Sequence, residues 1–136
     1  MQIDIIDNSE LVLAELEKKI EKALEECGNT AVTHAKQNIE RAARVDQGTM
    51  INSVTHQVEM GESAVYVGTN VEHAIFNELG TGIYTDGGRE TPWSYQDGKG
   101  NWHTTRGMQP IHFIRNSISD HIPQYEGIIK KNLKSD

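Results

Sequence analysis

The residue types in this chain that most often perform chemistry are its histidines, its one cysteine and a few carboxylates. The histidines are scattered over different predicted elements. They lack the His-Glu-x-x-His pattern, the cysteine pair or the tight His/Asp cluster that zinc sites show. The six are His34, His56, His73, His103, His112 and His121. We therefore predict no metal site and interpret these side chains as surface or partly buried residues.

Nucleophilic and acid–base catalysis are equally poorly supported. Cys27 lies on an apolar helical stripe, where a cysteine is more often a small core residue. Gly80-Thr81-Gly82 lacks the following lysine of a phosphate-binding loop, and no Gly-x-Ser-x-Gly elbow occurs. Asp46, Glu78 and Glu90 could be imagined as a carboxylate cluster, but nothing in the sequence brings them together. We predict no catalytic residue and no cofactor, and keep a small metal-dependent hydrolase as the minor alternative.

The segment from Gly80 to about residue 108 has an unusual composition. It holds seven of the twelve glycines and both tryptophans, with no leucine or valine before Gly107. It cannot build much core, and it is predicted to be a long mobile loop or an extended hairpin that a partner orders. Trp, Tyr and Arg are favoured anchors of protein interfaces. The predicted interface residues are Tyr84, Trp93, Tyr95, Trp102 and Arg106. The predicted turn or hinge residues are Asp46, Gly48, Gly80, Gly82 and Gly107.

A nucleic-acid interface is the alternative interpretation of the same segment. Aromatic residues interleaved with Arg89, Lys99 and Arg106 could stack on bases and contact phosphates. Acidic residues stand among them, and the formal net charge of -7 argues against a broad nucleic-acid or anionic membrane surface. We therefore expect protein partners, with a nucleic-acid-contacting module as the alternative.

Signals for export are absent from the pattern. The N-terminal residues lack the basic flank and apolar stretch of a signal peptide, and no run approaches the ~20 apolar residues that span a bilayer. A single cysteine allows no intramolecular disulfide, which fits a reducing compartment. We expect that the protein does not associate with a membrane and that it assembles in the host cytoplasm.

The remaining elements follow from periodicity. Apolar residues at spacings of three or four predict one long helix from about 8 to 43. A turn over 45–49, strands over 50–60 and 64–69, and a short helix capped by Asn70 and ended by Gly80 follow. A last helix begins after Pro110, and Pro123 should kink or break it. The prediction is a single α+β domain over 1–136, with both long helices packed on a small antiparallel sheet.

The order of these segments resembles a known family, the small tailed-phage structural proteins of the gene-product-ten type. Where the family tends to read Ala-Pro-Val-Asp-Thr-Gly, this chain has Ala42-Ala43-Arg44-Val45-Asp46-Gln47-Gly48. Its Glu78-Leu79-Gly80-Thr81-Gly82 is similar to the family's Glu-Phe-Gly-Thr-Gly. The family's Pro-Phe segment, which opens the last helix, corresponds to Gln109-Pro110-Ile111-His112-Phe113. Ala43-Arg44 in place of the usual proline is one departure.

The resemblance implies a structural role in a phage or prophage particle. Members sit at the neck or upper tail, where they join the head to the tail or complete the tail. They form rings, commonly six-fold. The partners implied are further copies of the chain, connector or head-closure proteins, and tail tube or tail terminator proteins. On this basis we expect a virion protein of the neck or tail that works through ring assembly and loop-mediated contacts.

Overall fold

The computed structural model describes residues 8–44 and 47–134. Its first element is the helix α1, Ser9–Ala42. The sequence of α1 is rich in Ala, Leu, Glu and Lys and has no proline, and such a composition favours a long uninterrupted helix. Asn8 is the N-cap but forms no side-chain capping bond, and the helix ends where Ala43 adopts a left-handed backbone conformation. The prediction of one long helix is confirmed.

Two short helices and a hairpin follow α1. The helix α2 spans Gln47–Ser53, the strands β1 and β2 span Thr55–Glu59 and Ala64–Gly68, and the helix α3 spans Glu72–Leu79. β1 and β2 pair antiparallel, with Thr55 opposite Gly68 and Glu59 opposite Ala64. The 3-10 turn Met60–Glu62 and the left-handed Ser63 join them.

The segment after α1 corrects two predictions. Residues 50–53 are helical and the strand begins only at Thr55, because α2 and the residue after it bury Met50 and Val54 while Asn52 stays exposed. A strand would turn residues 50, 52 and 54 to the same face and bury the asparagine. Gly48 therefore lies in a helix instead of a turn. Asp46, the other predicted turn residue, lies outside the described residues.

The cap of α3 is a third correction. The N-cap residue is Val71, whereas the sequence pattern predicts Asn70. The Val71 backbone N–H donates to the hydroxyl of Thr69 at 3.2 Å. The polar contact at this helix start therefore comes from the residue before Asn70.

The chain ends in a second short hairpin and two helices. β3, Trp93–Gln96, pairs antiparallel with β4, Trp102–Thr105, and the helices α4 and α5 span Phe113–Ser119 and Ile122–Leu133. Pro123 lies in the first turn of α5, where a missing backbone N–H costs no helical bond. The predicted break near Pro123 is confirmed.

The core lies at the carboxyl-terminal half of α1. Its fully or nearly buried members come from four helices and the residue between α2 and β1, namely Ala35, Ile39, Met50, Val54, Ala74 and Phe113. α1 also packs against α4 and α5, and against the β1–β2 hairpin. The α+β class, with terminal helices and small antiparallel sheets, is confirmed. The two two-stranded sheets are separate from each other.

Candidate protein interface

The β3–β4 hairpin occupies the centre of the Gly/Trp-rich segment. Trp93 is opposite Thr105 and Tyr95 is opposite His103, so these four residues share one face of the hairpin. Gln96 is opposite Trp102, which lies on the other face. The two tryptophans therefore point to opposite sides of a two-stranded ribbon.

The aromatic side chains of the hairpin differ in how much they are already covered. The guanidinium of Arg89 lies 5.3 Å from the ring centroid of Trp93, a cation–π contact that leaves the tryptophan half-buried. The rings of Tyr95 and His103 stack at 5.3 Å. Trp102 is 71% exposed, the largest exposed fraction among the large apolar side chains described. Trp102 is therefore the side chain with most surface left for a partner.

Asp97 organises the turn of the hairpin. One carboxylate oxygen accepts hydrogen bonds from the backbone N–H groups of Lys99 and Asn101, both at 2.9 Å. The other lies 2.7 Å from Nε2 of His103. These bonds, that from His103 foremost, hold the pKa of Asp97 below its ordinary value. The acidic residues of this segment, Asp97 among them, counted above only as evidence against nucleic acid, although Asp97-Gly98-Lys99-Gly100 is a turn signal.

Two glycines allow the segments that carry the hairpin to touch at its base. Gly82 and Gly107 have positive φ angles of 62° and 119°. A Cβ atom on Gly82 would overlap the carbonyl oxygen of Arg106, and one on Gly107 would overlap that of Thr81. The backbone N–H of Thr81 donates to the Met108 carbonyl at 2.9 Å, and that of Ile83 donates to Arg106 at 3.0 Å. Only glycine fits this close approach.

The residues just before this base tie three elements together. The carboxylate of Glu78 accepts the backbone N–H groups of Ile114 at 2.7 Å and Arg115 at 2.9 Å, so α3 caps the start of α4. The buried side chain of Asn77 accepts a bond from Arg44 at 3.0 Å. A second Arg44 nitrogen donates to the carbonyl of Gln109 at 2.6 Å. The arginine that departs from the family pattern thus links the end of α1 to α3 and to the segment before α4.

The predicted interface residues do not form one patch. Trp93, Tyr95 and Trp102 lie on the hairpin, while Tyr84 lies in the 3-10 turn Gly82–Tyr84 at its base and is 39% exposed. Arg106 follows β4 and is exposed. Gly80 ends α3 with a φ of 79°, and a Cβ atom there would lie 2.9 Å from Cδ of Pro110. The interface and hinge roles of these residues stay predictions.

Sequence reasoning missed two exposed apolar surfaces. The first comprises the outward residues of α3 and the turn after it, namely Ile75, Phe76, Leu79 and Ile83. The second is the amino-terminal end of α1, where Val12, Leu13 and Leu16 are 60, 59 and 42% exposed. The sequence carried no signal for the first surface, because only packing shows that α3 turns Ala74 and Asn77 inward and leaves its bulky residues outside.

The concave surfaces carry little that indicates catalysis. A groove of about 660 Å³ between α1 and the tip of the β1–β2 hairpin is lined by Ala14, Ile20 and Met60 with charged neighbours. A cavity of about 390 Å³ beside the base of the β3–β4 hairpin is lined by Asp86 and Glu90. Within residues 8–44 and 47–134, no three His, Cys, Asp or Glu side chains are grouped as metal ligands. In the same ranges, no helix is both long and apolar enough to cross a membrane.

Comparison with known proteins identifies a family. Residues 4–80 match the model of the HK97-gp10-like family, described as "Bacteriophage HK97-gp10, putative tail-component". No curated protein and no solved structure matches the chain. The matched range covers more than half of the chain and ends at Gly80, so it includes α1, α2, the β1–β2 hairpin and α3. The chain therefore belongs to the HK97-gp10-like family and is a structural tail component of a phage particle.

Proposed function

We propose that this protein joins or completes the upper tail of the phage by forming a ring of identical subunits, with the β3–β4 hairpin inserted between neighbouring proteins. The observation that carries the proposal is the placement of Trp93 and Trp102 on opposite faces of an exposed ribbon. A ribbon with an aromatic residue on each face presents a contact surface to each of two neighbours. A single flat partner could cover only one of them.

The hairpin edges support the same role. β3 and β4 form a two-stranded sheet, so the outer edge of each strand has backbone groups that no third strand among residues 8–44 and 47–134 pairs. Isolated two-stranded hairpins are marginally stable in water, and they gain stability when another surface covers them. Burial of large aromatic side chains such as Trp102 would offset the entropy lost when a mobile segment becomes ordered.

The proposed neighbours are further copies of the chain, a connector or head-closure ring on the head side, and a tail tube or tail terminator ring on the other side. The family description, a tail component, supports a location in the tail, and the finer location at the neck belongs to the proposal. We further propose that residues 80–108 are mobile in the free subunit and become ordered in the particle.

Complementation tests the function. In the phage or prophage that encodes this chain, removal of its gene is expected to leave free heads and unjoined tails in electron micrographs of the lysate. A plasmid copy should restore joined particles, and Trp102→Ala should fail to restore them. Lys99→Ala is the matched control, because Lys99 is an exposed residue of the same hairpin turn whose backbone forms the bond to Asp97. Normal particles with Trp102→Ala, or without the gene, would contradict the proposal.

Limited proteolysis tests the ordering of the hairpin segment. Trypsin can cut after Arg89, Lys99 and Arg106 within the segment, whereas Arg115 lies in α4 and serves as the internal reference. The three segment sites should be cut first in the free subunit and be protected in the particle. Equal protection in both states would overturn the proposed ordering.

A further inference from the structure

Most of the chain's lysines lie in two short stretches that the fold brings together. Six of the eight lysines fall within residues 18–22 and 130–134, namely Lys18, Lys19, Lys22, Lys130, Lys131 and Lys134. The first stretch lies in α1, and the second forms the end of α5 and its C-cap. α1 and α5 run antiparallel, because Cys27 contacts the carbonyl of Tyr125. Farther toward the amino terminus of α1, Lys19 donates to the carbonyl of Lys134 at 3.0 Å. The two lysine-rich stretches are therefore neighbours in space.

A pocket of about 310 Å³ opens between these two stretches. Its lining consists of four lysines and one asparagine, namely Lys19, Lys22, Lys131, Asn132 and Lys134. We name these five residues the lysine pocket. No described carboxylate lines it, although the chain has twenty acidic residues. Glu17 and Glu21, which belong to the same turns of α1, line the separate groove beside the tip of the β1–β2 hairpin. The fold thus separates the acidic and the basic side chains of this part of α1.

The carboxylate closest to the lysine pocket is already engaged. Glu26 accepts a bond from the Lys131 ammonium at 3.0 Å. This bond foremost, together with the positive charge of Lys22, holds the pKa of Glu26 below its ordinary value. Glu26 therefore stays ionised and offsets one of the four ammonium charges of the pocket.

Two further negative contributions leave the pocket positive. Glu15 lies one turn before Lys19 on α1, and the carboxyl end of α5 adds about half a negative charge through the helix dipole. Together with Glu26, these contributions leave an excess of roughly 1.5 positive charges. Asp136, two residues beyond Lys134, lies outside the described residues. Like charges held close together repel, so a bound anion would stabilise this arrangement.

The lysine pocket keeps hydrogen-bond donors for such an anion. Each lysine ammonium has three N–H groups. Lys19 uses one of them on the Lys134 carbonyl, and Lys131 uses one on Glu26. The ammonium groups of Lys22 and Lys134 form no salt bridge with any described residue. Both helices therefore supply donors to a ligand that carries several acceptor oxygens.

The chemistry of the lining favours phosphate among the possible anions. Lysine is a compact point charge on a flexible stem and binds the tetrahedral phosphate group well, whereas the fork of arginine best matches a planar carboxylate. No arginine and no aromatic residue is among the described residues that line the pocket. The pocket thus lacks an aromatic platform on which a nucleobase could stack.

We infer that the lysine pocket between α1 and α5 binds a phosphate group. The phosphate belongs to a nucleic-acid backbone or is a free phosphate anion, and its binding does not depend on base sequence. The inference is independent of the proposed ring assembly, since no residue of the β3–β4 hairpin lines the pocket.

The test is an NMR titration of the ¹⁵N-labelled protein with sodium phosphate, with sodium chloride keeping the ionic strength constant. The side-chain amide of Asn132 lies in the pocket and reports directly on binding. Its signals and the backbone signals of residues 19–22 and 131–134 should shift together and saturate. Lys22→Gln combined with Lys134→Gln should raise the dissociation constant about tenfold. Both lysines are exposed, so this variant is expected to fold. Lys36→Gln combined with Lys99→Gln is the matched control, because it removes the same charge outside the two stretches and should leave binding unchanged.

Fluorescence anisotropy with a labelled DNA duplex of arbitrary sequence distinguishes the two sources of phosphate. Duplex binding that weakens with salt and in the pocket variant would identify backbone phosphates. Binding of phosphate or pyrophosphate without duplex binding would identify a free anion, and either result supports the pocket. Three results would overturn the inference: the same shifts with sodium chloride alone, equal phosphate affinity in the pocket variant and the parent, or shifts of Asn132 by polyglutamate at lower concentration than by phosphate.

Discussion

Gly28 shows how a single residue sets the packing of the longest helix. It lies in the middle of α1, where glycine is intrinsically unfavourable. A Cβ atom at this position would run into the ring of His56 and would lie 3.0 Å from Cγ2 of Val65. The absence of a side chain therefore lets the β1–β2 hairpin approach α1 closely, with His56 bonded to Glu25 at 2.8 Å.

Gly28→Ala is predicted to destabilise the protein although alanine favours helices. The clash with His56 should cost about 1–3 kcal/mol in the free energy of unfolding, more than the ~1 kcal/mol gained in helix propensity. Gly127→Ala in α5 is the matched control, since a Cβ atom at Gly127 would have no neighbour within 4 Å, and it should stabilise. Urea unfolding of both variants would measure the two changes in the free energy of unfolding. A stabilised Gly28→Ala would show that the close approach does not constrain the fold.

The lowered pKa of Asp97 predicts how the stability of the β3–β4 hairpin changes with pH. Its folded pKa is lowered by the hydrogen bond from His103 and by two backbone N–H groups. Because the pKa of Asp97 is lower in the folded protein, its carboxylate stabilises the turn at pH values above the ordinary pKa of 3.8. This stabilisation is lost as the pH falls through the lower pKa of the folded protein. Both tryptophans lie on this hairpin, so tryptophan fluorescence reports its order.

Tryptophan emission is therefore expected to change as the pH falls below about 4, the usual range for an aspartate. The change should be weakened in Asp97→Asn, which lacks the titrating group but keeps an acceptor oxygen. An identical acid transition in both proteins would mean that the fluorescence change arises elsewhere. Circular dichroism of the helices, recorded on the same samples, separates loss of the hairpin from global unfolding.

At the scale of elements, the junction between α3 and α4 depends on the carboxylate of Glu78. It accepts two backbone N–H groups of the first turn of α4, where the N-cap residue His112 is left-handed and forms no side-chain cap. The helix dipole adds a favourable interaction with the negative charge. Glu78→Gln should therefore lower the free energy of unfolding by about 1–2 kcal/mol.

The backbone amides of Ile114 and Arg115 should also exchange faster with solvent in Glu78→Gln. Glu72→Gln on the exposed start of the same helix is the control and should stay within about 0.5 kcal/mol of the parent. Unchanged exchange rates at both amides would show that Glu78 does not cap α4.

The elements also show what the sequence could and could not predict. The period of α1, the strand β2 and the break before Pro123 were predictable, because each depends on local spacing and backbone chemistry. The strand prediction for residues 50–53 was wrong because a stretch of alternating residues does not reveal which side the core will cover. Glu78, Asn77 and Arg44 take part in contacts between residues distant in sequence, and single-sequence patterns carry no signal for such pairings.

The interface could be predicted only in part, because the direction of a side chain depends on contacts between residues distant in sequence. Composition singled out the hairpin segment, but only the pairing of Gln96 with Trp102 shows that the two tryptophans lie on opposite faces. The apolar spacing of α3 indicated a helix, and only its packing shows that Ile75 and Phe76 point outward. Sequence periodicity gives the existence of an apolar face, whereas its direction depends on the neighbouring elements.

At the scale of the whole molecule, the C-terminal lysines are used within the subunit. Lys131 pairs with Glu26 of α1 at 3.0 Å, and this bond lowers the pKa of the glutamate. An acidic residue in the middle of α1 is therefore neutralised by the carboxyl-terminal helix of the same chain. We expect subunit contacts to depend chiefly on the β3–β4 hairpin.

The central claim is tested most directly by the mass of the purified protein in solution. Native mass spectrometry and light scattering would measure this mass over a concentration series. We predict a closed ring of identical subunits that grows in population with concentration. The ring should be lost when Trp102 is replaced by serine and kept when the exposed Gly61 is replaced by alanine. A subunit that stays monomeric at every soluble concentration would contradict ring assembly by this chain.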